Sequence, residues 1–199
     1  YRLIWVSDSS LLAAGDLVFF GADDNGGRAL MMRSGELVWD FGTRDNVTST
    51  PVLYENMLLV ASWDGKVYAL DADSGKEQWS FQTAGAVSGS PVVFDSVLYV
   101  GAEDGILYAL TTSGELIWRF PTGGRFEASP AVSTGTIYIG STDNSLYAVQ
   151  ATDGKLAWRF ATGGDVTTTP AVANRKVVFG SMDRTLYCLD AKTGARIWT

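Results

Sequence analysis

Apolar residues along this chain come in short runs rich in Val, Tyr, Phe and Trp, divided by Gly, Asp, Asn and Ser. Runs bounded by such turn formers read as strands, because a helix would need apolar positions spaced at three and four over a longer stretch. Between 159 and 198 four runs follow one another: "DVTTTPAVA", "KVVFGSM", "TLYCLDA" and "ARIWT". The pattern predicts an all-β chain, four strands to the segment and no helix of any length.

The segment recurs. Tryptophans fall at 5, 39, 79, 118, 158 and 198, in steps of 34, 40, 39, 40 and 40. Glycines at 35, 75, 114, 154 and 194, prolines at 51, 91, 130 and 170, and tyrosines at 68, 108, 147 and 187 keep the same step. A period near forty marks a repeat architecture. Four short antiparallel strands cannot cover both faces of their own sheet and must stack on copies of themselves, as the blades of a β-propeller do. The expected units are 6–39, 40–79, 80–118, 119–158 and 159–198, in one domain over 1–199; the first lacks its Pro and Tyr.

Details within the unit agree. The first run carries small residues, "VTSTP", "VSGSP", "FEASP" and "VTTTP", as suits an innermost strand crowded around an axis, and its Pro should mark a strand edge or bulge. Gly75, Gly114, Gly154 and Gly194 stand where a tight hairpin needs positive φ. The tryptophan that follows, Trp39, Trp79, Trp118, Trp158 or Trp198, has a large apolar face and one N–H, suited to wedging between blades. A strand ending in Trp opens the chain (residues 1–5, "YRLIW") and another closes it ("ARIWT"). Five units plus an outer strand of a preceding blade are expected to form an arc of a larger ring, since rings hold about four to eight blades. An open arc would expose apolar blade faces and favour self-association.

Composition narrows the chemistry. The chain has 199 residues, is 46% hydrophobic and carries a net charge of -7, with no run of Lys or Arg. That charge repels a phosphate backbone, so nucleic acid is not the expected partner. No stretch reaches the ~20 apolar residues of a membrane span. There is no histidine, hence no usual general base or imidazole metal ligand. The one cysteine, Cys188, replaces Ala69, Ala109 and Ala148 of the other units and reads as a small buried residue. The series Asp64, Asp104, Asp143 and Asp183 recurs once per unit, which assigns it to turns where Asp bonds its own backbone, not to a calcium site. "DDNGG" at 23–27 reads as a polar hairpin turn.

The segments "VYALDADSGKEQW" (67–79) and "LYCLDAKTGARIW" (186–198) resemble the repeat of pyrroloquinoline quinone (PQQ)-type propellers, in which Ala-x-Asp-x-x-x-Gly-Lys-x-x-Trp docks blade on blade. The resemblance covers units two to five closely and the first loosely. WD40 propellers share the period, but Trp-Asp occurs here at 39–40 and 63–64, at different places in the unit. Two functional classes follow from the resemblance. Quinoprotein dehydrogenases hold the quinone and a calcium ion on the ring axis and characteristically have adjacent cysteines. Non-catalytic members, such as BamB-like outer-membrane assembly factors and extracytoplasmic sensor modules, offer the ring to another protein. A single cysteine and units without long insertions imply the second class: no enzyme, no cofactor, a protein as partner, and an extracytoplasmic or periplasmic location, with a cytoplasmic one left open. The alternative is a fragment of a PQQ-dependent quinoprotein dehydrogenase.

In such a blade the loop into the inner strand and the loop between the second and third strands emerge on one face. That face collects "GTRDN", "QTAGA", "PTGGR" and "ATGGD" with "SWDGK", "AEDGI", "STDNS" and "SMDRT". Variable loops on a rigid scaffold are where binding is usually placed. Trp63 is the one tryptophan off the period, aligned with Glu103, Thr142 and Met182. It is the candidate anchor, with Asp64, Arg44, Asp45, Arg125, Glu127 and Asp165 as a polar rim. A packing role over its own blade remains the competing reading of Trp63.

Overall fold

The computed structural model describes residues 9–22 and 24–199. Trp5, the opening "YRLIW" strand and Asp23 of "DDNGG" lie outside the described residues. Twenty strands form five four-stranded antiparallel sheets, with no helix among the described residues. Blade one has β1 (Leu12–Ala14), β2 (Leu17–Ala22), β3 (Gly26–Met31) and β4 (Leu37–Gly42). Blade two has β5 (Val52–Tyr54), β6 (Met57–Ala61), β7 (Lys66–Asp71) and β8 (Glu77–Gln82). Blade three follows with β9 (Val92–Phe94), β10 (Val97–Gly101), β11 (Ile106–Thr111) and β12 (Leu116–Pro121). Blade four has β13 (Ala131–Ser133), β14 (Thr136–Ser141), β15 (Ser145–Gln150) and β16 (Leu156–Ala161). Blade five has β17 (Ala171–Ala173), β18 (Lys176–Gly180), β19 (Leu186–Asp190) and β20 (Arg196–Trp198). Each sheet is ordered as in the sequence, a meander, and the five do not close into a ring.

The first strands of blades two to five neighbour one another, so they line the axis. Their small residues serve a purpose there: the Thr50 amide donates to Ser90 Oγ and the Ser90 amide to Ser129 Oγ, both at 2.8 Å, from one blade to the next. Pro51, Pro91, Pro130 and Pro170 each stand immediately before that strand, where no ladder donor is required. The irregularity in the sheets lies elsewhere, between the third and fourth strands, as a register shift after Ala29, Ala69, Ala109, Ala148 and Cys188.

Those small residues pair directly with Trp39, Trp79, Trp118, Trp158 and Trp198. Room for the indole explains Cys188, which is 1% exposed. The second and third strands of the inner blades are buried over nearly their whole length, β6 and β10 sharing the same burial pattern, because a neighbouring blade covers each face. The core is accordingly divided among the blade junctions. One cluster joins Tyr99, Leu107 and Ala109 of blade three to Ile137, Ile139 and Tyr147 of blade four. Another joins Tyr138 and Leu146 to Val177, Phe179 and Leu189 of blade five.

The tryptophans occupy the same junctions. Trp39 Nε1 donates to Ala72 O, Trp79 to Thr112 O, Trp118 to Ala151 O and Trp158 to Ala191 O, at 2.9 to 3.1 Å. Each indole lies against a glycine of the following blade: a Cβ added at Gly75, Gly114, Gly154 or Gly194 would come within 2.5 to 2.7 Å of Trp39, Trp79, Trp118 or Trp158. These glycines have φ between +69° and +86°, so the same residue closes the hairpin and makes way for the ring. Trp198 is 44% exposed, and no described blade follows it.

Candidate protein-binding face

The two sets of loops expected to share a face do so. Trp63 N donates to Asn46 O, Glu103 N to Ala86 O, Thr142 N to Arg125 O and Met182 N to Asp165 O, at 2.8 to 3.0 Å. One backbone bond per junction thus ties the loop between the second and third strands to the loop entering that blade, whatever side chain occupies the position.

Two further devices hold these loops. The Asp at the head of the third strand turns back on its own chain in three blades, as its residue type suggests: Lys66 N, Ile106 N and Thr185 N donate to the Oδ1 atoms of Asp64, Asp104 and Asp183 at 2.9 Å, while Asp143 Oδ1 has no partner among the described residues. The other oxygen reaches further. Asp64 Oδ2 accepts from Tyr68 Oη at 2.6 Å and from the Arg44 amide at 3.0 Å, and Asp104 Oδ2 likewise from Tyr108 and Ala84. Asp183 Oδ2 accepts from Tyr187 and Gly163, while Asp143 takes the Tyr147 hydroxyl. The repeat tyrosines are therefore clasps, a role their spacing did not disclose.

Burial, then the bond to the carboxylate, pushes Tyr108 and Tyr147 up to about 12 and Tyr68 above the usual phenol range. Conversely the Tyr187 hydroxyl, with the amides of Gly163 and Thr185, holds Asp183 down to about 2. The second device is threonine. Thr83 Oγ1 shares its one proton between Gly65 O and Gly85 O, Thr122 between Gly105 O and Gly124 O, and Thr162 between Asn144 O and Gly164 O. Thr43, Thr83, Thr122 and Thr162 recur at the unit step and were a legible signal for a rigid loop.

On this frame Trp63 is 43% exposed, with its Nε1 donating to Thr48 Oγ1 at 2.9 Å. The indole is thus oriented by one bond while much of it faces solvent, beside a shallow cleft of about 250 Å3 bounded by Asp64, Gln82 and Ala84. Arg44 and Asp45 are exposed in the adjoining loop, where Asp45 Oδ1 caps the Asn46 amide. Asp64, spent on Tyr68, Lys66 and Arg44, belongs to the frame beneath. Arg125 sits two junctions on and pairs with Glu103 at 3.8 Å. Glu127 is exposed in the same loop, and Asp165 is half-buried at the next junction. The candidates share one face but are spread over three junctions, with only Trp63, Asp64, Arg44 and Asp45 gathered together.

Blades of this sequence and geometry define a PQQ-type propeller. The chain belongs to the family described as "Outer membrane protein assembly factor BamB", which it matches over residues 23–113 and 103–199. In structure it is similar to BamB from Moraxella catarrhalis (TM-score 0.88, 20% identity), covering 100% of this chain and 62% of that one. It is also similar to the quinohemoprotein alcohol dehydrogenase ADHIIG from Pseudomonas putida HK5 (TM-score 0.87, 18% identity, 100% of this chain and 42% of that one). The computationally designed Ika8 protein shares the fold (TM-score 0.82, 19% identity, 96% of this chain and 60% of that one). At such identities the likeness is one of fold. No curated protein sequence matches the chain significantly.

Proposed function

We propose that the chain works as a non-catalytic, BamB-like scaffold in an extracytoplasmic compartment, binding another protein across the loop face and carrying no cofactor. The observation that carries this reading is the division of labour on that face. A backbone bond holds the four junctions in the same form, with Asp and Thr bonds added at most of them, while the side chain at one position is free to be Trp63, Glu103, Thr142 or Met182. Such a face varies its contacts without disturbing its frame. Membership of a family described by an outer-membrane assembly factor supports a protein as the ligand and the periplasm as the place.

The test uses the partner recovered by affinity capture from source cells and then purified. Trp63→Ala should weaken it by about 1 to 2 kcal/mol with little change in Tm, since the indole is 43% exposed and held by a single bond to Thr48. Trp118→Ala should do the reverse, costing about 3 to 5 kcal/mol of stability through a core cavity. Normal partner affinity in Trp63→Ala, with earlier unfolding, would return that indole to a packing role.

The alternative, a fragment of a quinoprotein dehydrogenase, is favoured by the fold likeness to the quinohemoprotein enzyme. Against it stands the donor set. The recurring carboxylates are one to a blade and bound to tyrosine and backbone, and the described residues gather no group of three or more His, Cys, Asp or Glu. Added PQQ and calcium should give neither a saturable absorbance change nor dye-linked alcohol oxidation; either would establish the alternative.

A further inference from the structure

On the face opposite those loops, a cleft of about 650 Å3 opens between blades four and five. Two small residues, Ser133 and Ala157, line it. Ser133 ends the first strand of blade four, where Tyr54 and Phe94 end those of blades two and three and Ala14 and Ala173 those of blades one and five. At the junction of blades two and three Tyr54 Oη meets Ser96 Oγ at 2.9 Å and bridges the gap. Ala157, before Trp158, stands where the other blades have Val38, Gln78, Ile117 and Ile197. The Ser133 hydroxymethyl cannot span the junction as Tyr54 does, and the Trp158 indole is left as part of the wall.

Charge in the cleft runs against the charge of the chain. With a net -7 overall, the only charged residues lining it are Arg175 and Lys192, surrounded by Thr134, Thr136, Thr152 and Gln150. The acids in the neighbouring turns are engaged: Asp153 with Lys155 at 2.6 Å, and Asp190 with the Thr193 hydroxyl and the amides of Lys192 and Thr193. Neither Arg175 nor Lys192 has an ion pair within 4 Å among the described residues, although Arg175 lies near enough to Asp190 to help hold its carboxyl below the usual range. Arg175 holds φ of +60°, where blade four has Gly135 at +75°. Blade three holds Ser96 at +59° in the same turn, so the conformation belongs to the hairpin, and a long cation there costs stability that glycine would not.

We propose that this cleft binds an acidic peptide segment, its carboxylates taken by Arg175 and Lys192 and its backbone lying along β16. That strand is the outermost of its sheet, so one edge of its main chain has no strand partner and can extend the sheet by one strand. A free edge favours a peptide, which supplies main-chain donors and acceptors, over a small free acid. The site is independent of the loop face, and its test is separate.

The probe is the hexapeptide acetyl-(Ala-Glu)3-amide, titrated against 15N-labelled protein. The Trp158 indole N–H and the amides of Thr134, Thr136 and Thr152 should shift saturably. Arg175→Gly should weaken binding about tenfold, as loss of a charge-assisted bond implies, without lowering Tm, because it also relieves the positive φ. Ser133→Tyr, which restores the blade-two residue, should close the cleft and abolish the shifts, whereas Arg125→Gln on the other face should leave them unchanged. Equal shifts with the glutamine hexapeptide, or with acetate at matched carboxylate concentration, would overturn the proposal, as would binding indifferent to Arg175→Gly.

Discussion

Gly154→Ala puts a number on the contact that joins one blade to the next. Gly154 has φ of +70°, and an added Cβ would stand 2.7 Å from Cδ2 and Cε3 of Trp118. Two costs follow. Placing an L side chain in the left-handed region costs about 1 to 2 kcal/mol, and forcing a methyl into a packed indole about 1 to 3 kcal/mol more. Gly135→Ala isolates the first, since Gly135 has φ of +75° and nothing within 4 Å of its would-be Cβ. The gain from restricting the unfolded chain is common to both variants and cancels. Urea unfolding followed by far-ultraviolet circular dichroism should therefore show Gly154→Ala less stable than Gly135→Ala by about 1 to 3 kcal/mol at unchanged m. In a Trp118→Ala background the difference should vanish, because the obstructing ring is gone. Equal costs for the two alanines, or a difference that survives removal of Trp118, would mean that the Trp–Gly contact does not hold the blades together.

Other expectations concern the clasps and the open side of the arc. Asp104→Asn leaves one acceptor oxygen for the donors Tyr108, Ala84 and Ile106, and should cost about 1 to 3 kcal/mol in urea unfolding; an unchanged midpoint would remove the clasp from the list of stabilising contacts. Asp183 is held at about 2, below its ordinary 3.8, so its contribution is complete above pH ~4 and is lost as pH falls through ~2. The difference in urea midpoint between wild type and Asp183→Asn should accordingly shrink between pH 5 and pH 2, and a difference constant over that range would contradict the assignment. Leu186 and Trp198, 54% and 44% exposed on the last described blade, should make the 199-residue chain self-associate; sedimentation as a monomer at all concentrations would refute this.

What could be read from the sequence was whatever repeats in the identity of single residues. Trp and Gly at a fixed step disclosed the blades, and the small residues of the first run in each unit disclosed which strand lies inside. Pairings between different units were hidden. Asp64 was legible as a turn residue because Lys66 lies two positions on, but its bond to the Arg44 amide crosses between loops twenty residues apart. The loop face could be assembled from topology alone, yet the Trp63–Thr48 bond and the dispersal of Arg125 and Asp165 to other junctions depend on side-chain placement. The cleft between blades four and five left the faintest trace, since Ser133 looks like ordinary variation until Tyr54, its counterpart in blade two, is seen to bridge a junction.

Trp39, Trp79, Trp118 and Trp158 each find their acceptor 33 residues further along the chain, never behind it. At a ribosome adding about 5 to 20 residues per second, that separation is a delay of about 2 to 7 seconds. Each newly emerged blade therefore waits, its tryptophan uncovered, until its successor is synthesised. Assembly is vectorial, with a lag of one blade, and the nascent chain always carries one sticky leading edge. A pause in translation within a unit would lengthen that exposure for the preceding tryptophan alone, so the timing of synthesis bears on each junction separately.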